Sequence, residues 1–153
     1  MSKRILVVED QPDSRRIIRD MVAGTDYEIT EAENGEEALA AIAKQRPDLI
    51  LMDIQLPIMD GYTATRLIKT DPALRSIPII AVTSYALAVE EKKARAAGCD
   101  DYVTTGEDSA VHAPMIIVCA VLEAVLDVIW YSFGSHFGCR HYRVRCAAAV
   151  TIS

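Results

Sequence analysis

Clusters of basic residues are missing from this sequence: nowhere do more than two stand together. Lys and Arg total 16 against 22 Asp and Glu, a formal net charge of −6. Phosphate backbones reward clustered cations, so nucleic acid is not expected as a direct partner. Paired CxxC motifs are missing as well. The four cysteines, Cys99, Cys119, Cys139 and Cys146, read as reduced thiols if the chain is cytoplasmic, and an even count in a chain this long does not imply a disulfide framework. The N-terminus lacks the long apolar stretch of a secretory signal: Met1-Ser2-Lys3-Arg4 precedes only four apolar residues before Glu9 and Asp10. A cytoplasmic location is the expectation. Apolar residues make up 51% of the 153, which argues against disorder and for one globular domain with a little to spare.

What is present in the first two-thirds is an alternation of strand and helix signals. Ile5–Val8 is an apolar run that stops at two acids. Pro12 suits the first turn of a helix with Ile17, Ile18, Met21 and Val22 inward, and Gly24 suits its stop. Tyr27–Ala32 reads as a strand, and Asn34-Gly35 opens a helix with Ala38, Leu39 and Ile42 inward. Asp48–Met52 is an apolar run ending at Asp53. Thr63–Thr70 is a helix closed by Asp71-Pro72, and Pro78–Val82 is a strand ending in Thr83-Ser84. Val89–Ala97 is a helix stopped by Gly98, and Asp101–Val103 begins a fifth strand. Short apolar strands alternating with helices imply βαβ units and a parallel sheet covered on both faces. In such sheets ligands sit beyond the carboxyl ends of the strands, near the point where strand order reverses.

The acids fall at those ends. Glu9 and Asp10 close strand one, and Asp53 closes strand three. Any one of them alone reads as a solvated strand end. If the two strands are neighbours, three carboxylates meet in one pocket, repel, and raise one another's pKa. Either a hard divalent cation such as Mg²⁺ or a nearby basic side chain would resolve this.

Four segments in register, Val7-Val-Glu-Asp10, Leu51-Met-Asp-Ile-Gln-Leu-Pro-Ile-Met-Asp-Gly61, Ala81-Val-Thr-Ser84 and Gly98-Cys-Asp-Asp-Tyr-Val103, resemble the receiver domains of bacterial two-component response regulators. The match covers residues 3 to 103, and its flavour resembles stand-alone regulators of the DivK type, although receivers attached to hybrid kinases look similar. The resemblance implies an α/β, flavodoxin-like, doubly wound five-stranded parallel sheet of order 2-1-3-4-5. It implies Asp53 as phosphoacceptor and Mg²⁺ held by Asp10, Asp53, the backbone carbonyl of Gln55 and, often through water, Glu9. Thr83 would donate to a phosphoryl oxygen, and Tyr102 would be the aromatic that moves inward with it. Pro57 and Gly61 would shape the loop, Gly61 either by permitting a geometry that a Cβ would hinder or as a plain turn glycine. The protein would not be an enzyme beyond taking phosphoryl groups from donors. Its partners would be a histidine kinase or phosphotransfer protein and a downstream protein target. Haloacid-dehalogenase-type phosphatases also use an aspartate after an apolar strand, but they need a second Asp two residues on, where this chain has Gln55.

After Val103 the pattern departs. The family's lysine position is occupied by Thr105, and Gly106 stands where a proline, in a cis peptide, is usual. Losing that lysine removes one charge-assisted hydrogen bond, about 1.5–3 kcal/mol, and losing the proline should let the loop relax to trans. Neither Lys92 and Lys93 nor Arg140, Arg143 and Arg145 is placed in the pocket by its position in the sequence. The expected division is a receiver over 1–131, with an altered last helix at 113–131, and an atypical tail over 132–153, part of it a possible strand arm. The segment Pro114–Tyr131 is apolar nearly all round, which suits burial against either the rest of the tail or a partner copy, the latter giving a homodimer through 113–153. As a membrane anchor it is short and carries Glu123 and Asp127, so no membrane association is expected. His136, Cys139, His141 and Cys146 match no standard zinc spacing and read as scattered side chains.

Two functional readings follow. One is a single-domain response regulator phosphorylated on Asp53 that signals through protein contacts. The other is a receiver-derived interaction protein, impaired in switching, that self-associates through its apolar C-terminal segment.

Overall fold

The computed structural model describes residues 3–23, 26–83 and 88–104. Over these the chain runs β1 (Lys3–Val8), α1 (Pro12–Val22), β2 (Tyr27–Ala32), α2 (Gly35–Lys44), β3 (Leu49–Asp53), α3 (Gly61–Thr70), β4 (Ile79–Thr83), α4 (Ala88–Ala97) and β5 (Asp101–Thr104). The strands form one parallel sheet in the order β2-β1-β3-β4-β5, as the resemblance implied. The sequence placed α3 two residues late: Asp60 caps it, its carboxylate accepting from the Thr63 amide at 2.9 Å, so the helix begins at Gly61. It also placed β3 and β4 one residue early. Asp53 and Thr83 are therefore the last residues of their strands rather than the first beyond them.

Right-handed crossovers fix which helix lies on which face. The β1-to-β2 step runs one way across the sheet, while β2-to-β3, β3-to-β4 and β4-to-β5 run the other. Hence α1 lies on one face and α2, α3 and α4 share the opposite one. Side-chain alternation agrees. Leu6, Val8, Ile50, Met52, Ile79 and Ala81 form one buried cluster with Ala38 and Ile42 of α2, Ala64 and Ile68 of α3, and Ala94 of α4. Ile5, Val7, Leu49, Leu51, Ile80 and Val82 point the other way and are equally buried. On α1, Ile18 and Val22, four apart, are buried. Ile17, expected inward, is 45% exposed; it lies about 100° round the helix from Ile18, outside that stripe.

Polar side chains join the elements. The Lys69 ammonium donates to Asp100 Oδ2 at 2.7 Å and to the Ile77 carbonyl at 2.8 Å, while the same Asp100 oxygen accepts from the Ile79 amide at 2.8 Å. This ties the end of α3 to the starts of β4 and β5. Gly98, at φ +105°, stops α4 in a conformation that L side chains rarely adopt. Buried Asn34 caps α2 by accepting from the Glu37 amide at 3.0 Å, and Glu37 in turn accepts from the Glu33 amide at 2.9 Å. Asn34→Ala is expected to cost about 1–2 kcal/mol, measurable as a lowered urea midpoint at unchanged slope.

Among the described residues no helix is long and apolar enough to cross a membrane. The expected helix stop at Gly24, the Thr105–Gly106 loop, the helix over 113–131, and the tail with its strand arm, dimer contact and scattered His and Cys all lie outside the described residues.

Candidate functional site

The strand order reverses between β1 and β3: the chain leaves β1 towards β2 on one side and leaves β3 towards β4 on the other. The loops after the two strands therefore part and leave a crevice at the sheet's carboxyl edge. In the register Val8 lies level with Met52, so Glu9 and Asp53 follow one step further along their strands, with Asp10 next. The carboxylates of Glu9, Asp10 and Asp53 come within 4.8 Å of one another, and all three residues are half-buried.

Each acid has a local partner. Glu9 Oε1 accepts from the Gln11 amide at 3.0 Å, Asp10 Oδ2 from the Gln11 side-chain amide at 3.3 Å, and Asp53 Oδ1 from the Gln55 amide at 3.1 Å. These neutral donors do not offset three clustered charges. Burial pushes Glu9 up to about 7, aided by the nearby Asp53 and Asp10 and opposed by the Gln11 amide. Asp53 is raised chiefly by burial, with Asp10 adding to the rise and the Gln55 amide opposing it. Among the described residues no lysine or arginine forms an ion pair with any of the three. Of the two resolutions open from the sequence, a hard cation bound through oxygen suits this donor set. No described basic side chain supplies the other.

The remaining sequence-derived residues are placed as follows. Thr83, buried, ends β4 one residue beyond Val82, which pairs with Asp53. Tyr102, on β5, pairs with Ala81 of β4 and packs, partly buried, against the core cluster. Gln55 is exposed, with its amide turned to Asp53. Thr105 lies outside the described residues.

Gly61 sits directly behind Asp53. A Cβ there would overlap the Asp53 carbonyl oxygen and stand 2.9 Å from the Ile54 Cα. The requirement is close approach, since the Gly61 φ is not in the left-handed region. The Gly61 amide donates to the Ile54 carbonyl at 3.1 Å and closes the β3–α3 loop on itself. Within that loop Ile58 takes φ +66° beneath a Met59 amide to Pro57 carbonyl bond of 2.7 Å, a strained three-residue turn.

One residue of the site is not singled out by the sequence. The Arg15 guanidinium, on the first turns of α1, donates to the backbone carbonyls of Glu9 at 2.7 Å and Asp10 at 3.2 Å. Its other nitrogens pair with Glu33 at 2.8 Å and Glu31 at 3.4 Å. A bond to a backbone carbonyl has no residue signature. The only available hint is an arginine five residues after Asp10, near enough to the helix start to reach back.

Comparison with known proteins agrees with this architecture. Residues 5–110 match the response regulator receiver domain. The polar-differentiation response regulator DivK of Brucella anthropi is 42% identical over 104 residues, covering 68% of this chain and 85% of that protein. The DivK of Brucella ovis is 40% identical over the same length and shares. Among solved structures, the receiver domain of the sensor histidine kinase PA1611 from Pseudomonas aeruginosa, with magnesium coordinated in its active-site cleft, is 34% identical. It has a TM-score of 0.66 and covers 82% of this chain and 95% of that one. The Mn²⁺-bound response regulator Rcp1 is 27% identical with a TM-score of 0.68, covering 74% and 88%. With a family match over most of its length and this degree of identity to DivK proteins, the chain belongs to the response regulator receiver domain family.

Proposed function

We propose that this protein is a single-domain, cytoplasmic response regulator that accepts a phosphoryl group on Asp53 and signals through contacts with a downstream protein. The donor is a phosphohistidine on a histidine kinase or phosphotransfer protein. The observation that carries this reading is the meeting of three carboxylates, from the ends of two adjacent strands, within 4.8 Å of one another. No described cation pairs with them. An Asp53 oxygen attacks phosphorus as the P–N bond to the donor imidazole breaks, and an acyl phosphate results. Asp10, Asp53, the Gln55 carbonyl and Glu9 would hold Mg²⁺. When bound, that ion neutralises the charge of the transferring group. Thr83 donates its hydroxyl to a phosphoryl oxygen, and Tyr102 follows it inward. The magnesium and manganese forms of the PA1611 and Rcp1 relatives support the choice of cation.

A second reading, a switching-impaired interaction protein, rests on Thr105 in the lysine position and on the apolar 114–131 segment. Exposure to acetyl phosphate and Mg²⁺ separates the two. Wild type is expected to label, Asp53→Asn to lose labelling entirely, and Thr105→Lys to prolong the phosphorylated state. If wild type stays unlabelled while Thr105→Lys labels, and wild type elutes as a dimer on size-exclusion chromatography, the second reading stands.

A further inference from the structure

The pocket poses a physical problem. Three carboxylates crowd together, and two of them lie on a short turn between β1 and α1 that their mutual repulsion would push outward. Beyond β1 the carbonyls of Glu9 and Asp10 need donors from elsewhere. Arg15 supplies both from one nitrogen, at 2.7 and 3.2 Å. Its side chain is only 11% exposed, so these bonds form largely out of water, where they hold best. The rest of the guanidinium is committed to Glu31, which Arg19 also pairs at 2.8 Å, and to Glu33. Both belong to β2 or the residue after it, and β2 is anchored to the same turn by the Glu9 amide to Ala32 carbonyl bond of 3.0 Å.

We propose that Arg15 is a positioning residue for the divalent-cation site: it grips the β1–α1 turn from behind, through its backbone carbonyls, so that the Glu9 and Asp10 carboxylates face Asp53. A cation among the carboxylates themselves would compete with the metal. Arg15 avoids that competition, because its hydrogen bonds go to carbonyls and its charge is balanced by Glu31 and Glu33. Two peptide planes held by one guanidinium nitrogen, itself held in place by the bonds of the other two to Glu31 and Glu33, restrict the directions of the two Cα–Cβ bonds, which lowers the ordering cost of binding a metal. A lysine, with one compact ammonium, cannot serve the carbonyls and both acids together.

This inference rests on the reading of the acid cluster as an Mg²⁺ site, and the experiment separates the two. Mg²⁺ is titrated calorimetrically into the full chain at pH 8 for wild type, Asp10→Asn, Arg15→Met and Arg15→Lys. Wild type should bind and Asp10→Asn should not; failure of either overturns the site itself. Arg15→Met is expected to bind roughly tenfold more weakly, and Arg15→Lys to recover less than half of that loss. Metal-free hydrogen exchange supplies a readout that a general loss of stability would not imitate. The Gln11 amide should exchange faster in Arg15→Met while Leu51, in the middle of β3, keeps its wild-type rate. Should Arg15→Met fail to fold, the Glu31→Gln, Glu33→Gln double variant loosens the guanidinium without removing the carbonyl bonds and should weaken Mg²⁺ about threefold. Wild-type Mg²⁺ affinity in Arg15→Lys, or in Arg15→Met with Gln11 exchange unchanged, overturns the proposal.

Discussion

Replacing Gly61 with alanine is expected to lower stability by about 3 kcal/mol, near the upper end for overpacking, and to slow phosphoryl labelling on the order of a hundredfold. The added Cβ would overlap the carbonyl oxygen of Asp53, and its next neighbours, the Ile54 Cα at 2.9 Å and the Asp53 carbonyl carbon at 3.0 Å, are backbone too. No side chain can rotate away to make room. Relief must come from moving the last residue of β3, which carries the phosphoacceptor, or from pulling α3 off the Ile54 carbonyl that its first amide holds. Asp60, which caps α3, and Ile68, buried on it, oppose the second route. Urea denaturation and acetyl phosphate labelling measure the two effects separately. A wild-type midpoint together with wild-type labelling would show that the loop has slack that this geometry denies.

The second large effect is a reversal of pH dependence by Mg²⁺. Glu9 is raised from 4.5 to about 7 by burial and by its acidic neighbours, and Asp53 is also raised. Between pH 4.5 and 7 the folded, metal-free protein therefore holds a proton on Glu9 that the unfolded chain has released. Stability from this group is full below pH 4.5 and is lost as pH rises through 7. A shift of this size corresponds to at most about 3 kcal/mol, and solvent screening at a half-buried site reduces it to about 1–2 kcal/mol. With Mg²⁺ the sign inverts, because the cation needs the carboxylates ionised and its affinity climbs as the proton leaves. Unfolding midpoints are measured at pH 5, 6, 7 and 8, with and without Mg²⁺ in excess over the protein. The two curves should diverge as pH rises. Glu9→Gln should flatten the metal-free slope. Parallel curves with and without Mg²⁺ would remove the acid cluster as a metal site.

The acid cluster is legible in the sequence because its signals are local. An apolar run that stops at an acid marks a strand end whichever strands turn out to be neighbours, and Glu9, Asp10 and Asp53 are all marked that way. Helix stripes are less legible. Ile17 and Ile18 are equally apolar, and only the sheet's position chose Ile18. Boundaries slipped by a residue or two at β3, β4 and α3, because the Asp60 cap and the ladder reach past the apolar run.

The sequence by itself determined the order of strands and helices, the acids at the strand ends, and the departure from the family at Thr105, since each depends on residue types at fixed spacing. The family resemblance also implied that β1 and β3 are neighbours; tertiary structure decided how closely Glu9, Asp10 and Asp53 meet, within 4.8 Å in one crevice, and that Gly61 is needed for closeness rather than for its φ. It also decided that Arg15 reaches back to two carbonyls and across to Glu31 and Glu33. The physical reason is that hydrogen bonds to backbone and contacts between backbones leave no mark on the side-chain pattern. They exist only once the chain has folded to bring distant segments within a few ångströms.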